Sequence, residues 1–164
     1  MINIKIWKDL DTAKNIELKN MLKKEFNLKT DVELNLVKNR TFQITLIKDN
    51  LLLGGISLIQ NDDLKKYLDK RKIPSSNDIY SFKADKGIYV YNLVVNPKYR
   101  KLGIGKKLLD IAIYVSRSLG IIYCHTHCEN EISEHIFTKK GFVLENSFKN
   151  AKNQTIKLMN YWLN

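Results

Sequence analysis

The sequence predicts an α/β protein of the α+β kind, with one mixed, mostly antiparallel sheet of about six to seven strands flanked by helices. Three observations carry this. Apolar, β-branched and aromatic stretches of strand length recur at residues 1–7, 41–47, 51–59, 87–95, 121–128, 142–148 and 155–162. A turn containing Gly103 and Gly105 leads into a helix over residues 106–119, with apolar residues at Leu108, Leu109, Ile111, Ala112, Val115 and Leu119. Strands lie directly before and after that helix, which requires a crossover and hence one parallel pair inside an otherwise antiparallel sheet.

Each element has a local reason. Residues 1–7 alternate apolar and polar, as a half-buried strand does. Asp11 or Thr12 can cap the helix that follows, and Leu18, Met21, Leu22 and Phe26 mark its buried face to about Asn27. Val32, Leu34 and Leu36 alternate within residues 31–38. Residues 41–47 and 51–59 form a hairpin around Lys48-Asp49-Asn50, and Gly54-Gly55 inside its second strand marks a bulge or a close backbone approach. Residues 62–71 read as a short charged helix and 74–86 as a loop. After the strand at 121–128, a helix runs over 132–139 and ends at Gly141. The last two strands are joined by the polar turn at 149–154.

At 164 residues the chain is expected to be one domain, 1–164, with residues 61–86 as a helix-loop insertion. Its 44% hydrophobic and 27% charged residues are ordinary for a globular protein. No basic segment precedes an N-terminal apolar run, and no stretch reaches membrane-span length, so the expectation is a cytoplasmic protein without a membrane partner. Cys124 and Cys128 lie in one strand, roughly 13 Å apart, too far for a disulfide. The net charge of +11 raises a nucleic-acid reading, but the lysines are scattered along the chain rather than interleaved with aromatics.

The glycine turn carries the first chemistry. Gly103 and Gly105 let backbone N–H groups approach a ligand at a helix N-terminus, where Arg100, Lys101, Lys106 and Lys107 add charge, so the turn suits phosphate. A P-loop is excluded, because Arg100 stands at its first glycine and Lys107 at its Ser/Thr. A dinucleotide fingerprint is excluded because Leu108 occupies its third glycine.

What remains is Leu93-Val94-Val95-Asn96-Pro97-Lys98-Tyr99-Arg100, then Leu102, Gly103, Ile104 and Gly105. This resembles the pyrophosphate-binding motif of the GNAT superfamily of acyl-CoA-dependent N-acetyltransferases. Asn130, Phe137, Gly141 and Phe142 fall at the spacing of the family's later motif. The resemblance covers roughly residue 41 to the C-terminus apart from the insertion. It implies a V-shaped opening between the two central parallel strands. It implies pantetheine along the backbone of Leu93, Val94 and Val95, and pyrophosphate on the turn from Arg100 through Lys101, Leu102, Gly103, Ile104 and Gly105 to Lys106. Asn130 joins this set. Acetyl-CoA is then the co-substrate and a primary amine of a small molecule or protein the acceptor. Relatives often carry a second short helix at the place of residues 31–38, so that stretch is read as irregular or helical.

Direct transfer needs a deprotonated amine, an oxyanion donor and a route for a proton to the thiolate. The resemblance implies a backbone N–H around Val94 as the oxyanion donor. Many relatives use the tyrosine of the late helix as acid; this chain has Phe137 there, leaving water, Tyr89, Tyr91 or Tyr123. The strand at 87–95 has no carboxylate. In a branch acting on protein N-termini, a glutamate stands five residues before the motif asparagine. Here that position is His125, a candidate base by its ordinary pKa. Strand alternation puts Cys124 and Cys128 on one face and His125 and His127 on the other, so the four do not converge on a metal. The leading reading is an acetyltransferase. A non-catalytic acyl-CoA-binding module is the alternative, and a nucleic-acid-binding protein the third. The basic surface disfavours polycationic acceptors. The apolar strand at 158–162 is a candidate edge for pairing with a second copy.

Overall fold

The computed structural model describes residues 4–5, 31–37, 40–73, 79–82 and 86–163. The helix expected between residues 11 and 27 lies outside these residues, as does most of the first strand. One eight-stranded sheet organises the rest, in the order β1-β2-β3-β4-β5-β6-β8-β7. Its strands are β1 (Ile4–Lys5), β2 (Asp31–Val37), β3 (Thr41–Lys48), β4 (Leu51–Gln60), β5 (Gly87–Val95), β6 (Tyr123–Cys128), β7 (Val143–Lys149) and β8 (Thr155–Trp162). The helices are α1 (Asn61–Lys70), α2 (Ile104–Ser118) and α3 (Glu131–Lys140).

The mixed, mostly antiparallel sheet predicted from the sequence is present, with eight strands rather than six to seven; the expected parallel pair is β5 and β6, and the two-residue β1 makes a second one with β2. Two local expectations are corrected. Residues 31–37 are not irregular or helical but a strand, antiparallel to β3 from Asp31↔Ile47 to Val37↔Thr41. The alternation at Val32, Leu34 and Leu36 was the stronger signal, because the edge of β3 needs a hydrogen-bonding partner. The 155–162 strand is not an edge. It pairs with β6 on one side and β7 on the other, with Leu158 and Met159 buried. The edge of the sheet on that side is β7.

The α2 face of the sheet holds the main core. Leu108, Leu109, Ile111, Ala112 and Val115 pack with Ile44, Leu46, Ile56, Leu58, Ile88 and Val90. Each fully buried Leu, Ile or Val among them contributes about 1.5–3 kcal/mol. On the opposite face α1 packs through Leu64 and Leu68 onto Ile59, joined by Tyr67, Tyr80, Phe82, Tyr89 and Tyr91.

Two irregularities shape the centre. β5 and β6 pair only from Gly87↔Tyr123 to Val90↔Thr126, after which β5 runs on to Val95 beside β4 alone. This is where the sheet splays. Against β4, Ser57 pairs with Tyr91 and Gly55 with Val94, so β5 carries one extra residue opposite Ile56. Asn92, inside this bulge, has φ +51°. The bulge bends the strand where the opening begins. Gly54 is required beside it, because a side chain there would put Cβ 2.6 Å from the Val94 carbonyl oxygen.

Candidate active site

One side of the candidate site is built by the end of β5, the turn and the start of α2. Asn96 folds the chain through its side chain, which donates from Nδ2 to the Leu52 carbonyl at 3.0 Å and accepts from the Lys98 N–H at 3.1 Å. A short 3-10 turn follows at Pro97–Tyr99. Arg100 Nε donates back to the Val95 carbonyl at 3.4 Å. Gly103 caps α2 in the left-handed conformation at φ +77°, which a residue with a side chain rarely adopts. Nothing lies within 4 Å of where a Cβ would stand on Gly103, so the turn is open to a ligand.

Arg100, Lys101, Leu102 and Lys106 are exposed around this turn, and the first turn of α2 has no acidic residue. The unpaired N–H groups of a helix start and these cations form a basic cradle that fits phosphate. Gly105 is the meeting point of three elements. A Cβ built on it would lie 3.3 Å from Ile136 of α3 and 3.6 Å from Val95 of β5. The structure thus brings Val95, the turn and α3 together. Val94 is 61% exposed at the mouth of the splay.

Asn130 lies at the start of α3, where its Oδ1 accepts the Ser133 N–H at 2.9 Å as a helix cap. Phe137, on the same helix, turns into the core. It is 2% exposed and sits edge-on to Phe142 with ring centroids 5.0 Å apart.

His125 is level with Tyr89 in the closed, paired part of the β5–β6 ladder. It is completely buried. Its Nδ1 accepts the Ser81 N–H at 3.3 Å, so the proton sits on Nε2, which donates to Asn61 Oδ1 at 2.7 Å. As placed, its one lone pair is engaged. Burial, with a smaller contribution from His127, lowers its pKa to about 3.

His127 behaves alike. Its Nε2 donates to the Ile79 carbonyl, and its Nδ1 accepts from the Tyr89 hydroxyl at 3.1 Å. Burial also lowers its pKa. Both histidines therefore hold the segment 79–82 across the sheet. Ser81, 1% exposed, is its centre, bonded through Oγ to the Tyr123 hydroxyl and lying 3.4 Å from Glu145 Oε1. Glu145 Oε2 accepts from Tyr123 at 2.8 Å and from Asn160 at 2.9 Å.

Sequence reasoning read residues 61–86 only as a helix-loop insertion and missed Asn61, Ser81 and Glu145. The available signal was the spacing of Leu64, Tyr67 and Leu68 on one helical face, followed by Tyr80 and Phe82. The two cysteines point the other way, as alternation predicts, and both are buried in the α2-side core.

The three candidate tyrosines all face the side opposite α2. Burial pushes the pKa of Tyr89, Tyr91 and Tyr123 upward. Tyr91 bonds to Thr41 Oγ1 at 2.9 Å. A cavity of about 360 Å³ opens here between β3, β4, β5, α1 and the 79–82 segment. A second, of about 540 Å³, continues along Gly54, Gly55, Val94 and Pro97. The two share Gln43, Ser57 and Asn92.

A central splay with a bulge on one strand, leading to a basic helix start, is the architecture against which known proteins were compared. The sequence profile of the Acetyltransferase (GNAT) family matches residues 9–142, so the chain belongs to that family. Its fold is similar to that of an acetyltransferase of GNAT family from Streptococcus pneumoniae, at TM-score 0.58 and 16% identity over 95% of this chain and 79% of that one. A putative acetyltransferase from Agrobacterium tumefaciens superposes at TM-score 0.56, with 19% identity over 94% of each chain. The ribosomal-protein-S18-alanine N-acetyltransferase from Escherichia coli does so at TM-score 0.54, with 12% identity over 75% of this chain and 69% of that one. At these identities the likeness is one of fold. No curated protein sequence matches the chain. No helix among the described residues is long and apolar enough to cross a membrane.

Proposed function

We propose that this chain is an N-acetyltransferase that moves the acetyl group of acetyl-CoA directly to a primary amine. The observation that carries the reading is the placement of the splay. It begins past Val90 and Thr126, with the basic α2 turn on its donor side and the adjoining cavities on the opposite face of the sheet.

In this reading the pyrophosphate lies on the N–H groups at Gly103–Lys106, with Arg100, Lys101 and Lys106 offsetting its charge. The pantetheine runs along the backbone of Leu93 to Val95, and Leu102, Ile104 and Asn130 border it. The acceptor ammonium first loses a proton to solvent. The amine lone pair then forms a C–N bond to the thioester carbonyl, whose oxygen becomes anionic opposite a backbone N–H at Val94. The tetrahedral intermediate collapses, the C–S bond breaks, and the thiolate takes one proton. The products are an amide, free coenzyme thiol and one net proton.

Water supplies the thiolate's proton, because phenols raised by burial are weak acids toward it. His125 is given a positioning role here rather than that of the base: neutral, it holds Ser81 and Asn61. A binding module without catalysis is the second reading, motivated by Phe137 and by the engaged histidines.

The test is a pair of measurements. Saturating acetyl-CoA should stabilise the protein by roughly 2–4 kcal/mol at 100 to 1,000 times its Kd. Free thiol should then appear with a mixed panel of amines and peptides. Stabilisation without thiol release on any acceptor supports the binding module, and no stabilisation at millimolar acetyl-CoA refutes both. Arg100→Ala should raise the acetyl-CoA KM severalfold with kcat little changed, since it removes a contact made equally in ground and transition states.

A further inference from the structure

We propose that the acceptor is a monoamine carrying an aromatic or apolar group beside its amine, and that the tyrosine-walled cavity on the face opposite α2 selects it. This rests on the acetyltransferase reading. Tyr67, Tyr80, Tyr89 and Tyr91 form the walls, and Ile59 and Leu64, 3% and 4% exposed, form the floor.

Three observations support this class. The cavity joins the neighbouring one through Gln43, Ser57 and Asn92, and that second cavity reaches Val94, so a molecule held here has its amine near the reacting carbonyl. The walls suit a flat apolar group. The Tyr89 and Tyr91 rings are parallel within 8° at 5.2 Å, and Tyr80 stands edge-on to Tyr89 at 5.5 Å, leaving ring surfaces for stacking and edge contacts.

Third, the ten described residues lining the cavity include no carboxylate, lysine, arginine or histidine, and burial pushes the Tyr80, Tyr89 and Tyr91 phenols upward. Among the described lining residues, a carboxylate or a second ammonium on the acceptor would meet no opposite charge. The same environment lowers the pKa of a single amine, which yields the neutral nucleophile in a site whose histidines are engaged. Two acidic residues stand on neighbouring elements. Asp63 of α1 is paired with Arg40 at 3.4 Å. Glu129, exposed just past the end of β6, acts through space on the Tyr89 hydroxyl.

The experiment measures kcat/KM by thiol release from acetyl-CoA with 2-phenylethylamine, spermidine and glutamate as acceptors, using the full chain. Phenylethylamine is expected to exceed both others by about tenfold or more, the effect of one unpaired buried charge. With coenzyme A bound, phenylethylamine should also raise Tm while glutamate does not. Gln43→Glu places a carboxylate at the junction of the cavities on an exposed strand position. It should shift the ratio toward spermidine by about tenfold. Preference for spermidine or glutamate by the wild type, or an unchanged ratio in the variant, overturns the inference and leaves the acetyltransferase reading standing. Absence of thiol with every amine, despite stabilisation by acetyl-CoA, overturns that reading and this inference with it.

Discussion

Replacing His125 by glutamine separates a buried positioning histidine from a working base. In the unfolded chain this imidazole takes up a proton near its ordinary value of 6.5, whereas in the folded protein it does so only near 3. A folded pKa lowered in this way means that the native state binds fewer protons than the unfolded one. Its contribution to stability is therefore full above about pH 6.5 and is lost as pH falls from there toward 3. The slope is about 1.4 kcal/mol per pH unit for one proton, so moving from pH 7 to pH 5 removes about 2 kcal/mol. His127 is shifted in the same direction and adds to the wild-type slope, which is why the comparison with the variant is needed.

Glutamine keeps the size but replaces at most one of the two bonds to Ser81 and Asn61. At pH 7 His125→Gln should then be less stable than wild type by about 1–2 kcal/mol. At pH 5 the gap should close or reverse, because the variant has no imidazole to charge. Urea denaturation at both pH values reads this directly. A gap that stays constant between pH 7 and pH 5 would refute the reasoning, since it would mean that the ring titrates alike in both states. The kinetic companion is the pH profile of kcat/KM. Its limbs should be the same in variant and wild type between pH 6 and 8; loss of a limb near 6.5 would restore His125 as the base.

Three further outcomes follow from the packing. Gly54→Ala should lower stability by about 1–3 kcal/mol in urea, because its methyl would press on the Val94 carbonyl at 2.6 Å and on Leu108 at 3.0 Å. It should also raise the acetyl-CoA KM, since β4 can yield only by moving the bulged strand; an unchanged urea midpoint would contradict the close approach. Phe137→Tyr should lower Tm without a gain in turnover, because it buries a hydroxyl in an apolar ring contact with Phe142 at a cost of about 1–3 kcal/mol. A rise in turnover of tenfold or more would show instead that the ring reaches the thiolate. Burial raises the thiols of Cys124 and Cys128 to about 12 and about 11. Both should react with a disulfide reagent at pH 7 only as fast as the protein opens, and rapid labelling of the native protein would be inconsistent with their placement.

The sequence by itself determined the strand, glycine turn and helix proposed to hold the donor. Leu93–Gly105 and the helix after it are local in the chain, and their chemistry is a matter of spacing: a strand, an asparagine-proline turn, an arginine, two glycines and an amphipathic face. The β5–β6 parallel pair was legible for the same reason, because the long amphipathic helix between them makes the crossover that a parallel pair needs, whereas α1, between β4 and β5, joins an antiparallel pair. Residues 31–37 were misjudged although their alternation was plain, and the 155–162 strand was placed at an edge when it lies inside the sheet. Strand order is decided by which edges are left to pair, and no local pattern carries that.

Only the tertiary structure decided the surroundings of His125 and the cavity proposed for the acceptor. His125 looks like a base in a list of residues. It becomes a buried neutral ring because Asn61, sixty-four residues earlier, and Ser81, forty-four earlier, are folded onto it. The tyrosine walls come from α1, the 79–82 segment and β5, which meet only when the insertion is laid over the sheet. A pKa and a cavity are properties of surroundings rather than of a residue. The glycine-turn motif could be read along the chain, while the state of His125 and the shape of the tyrosine-walled cavity had to wait for the fold.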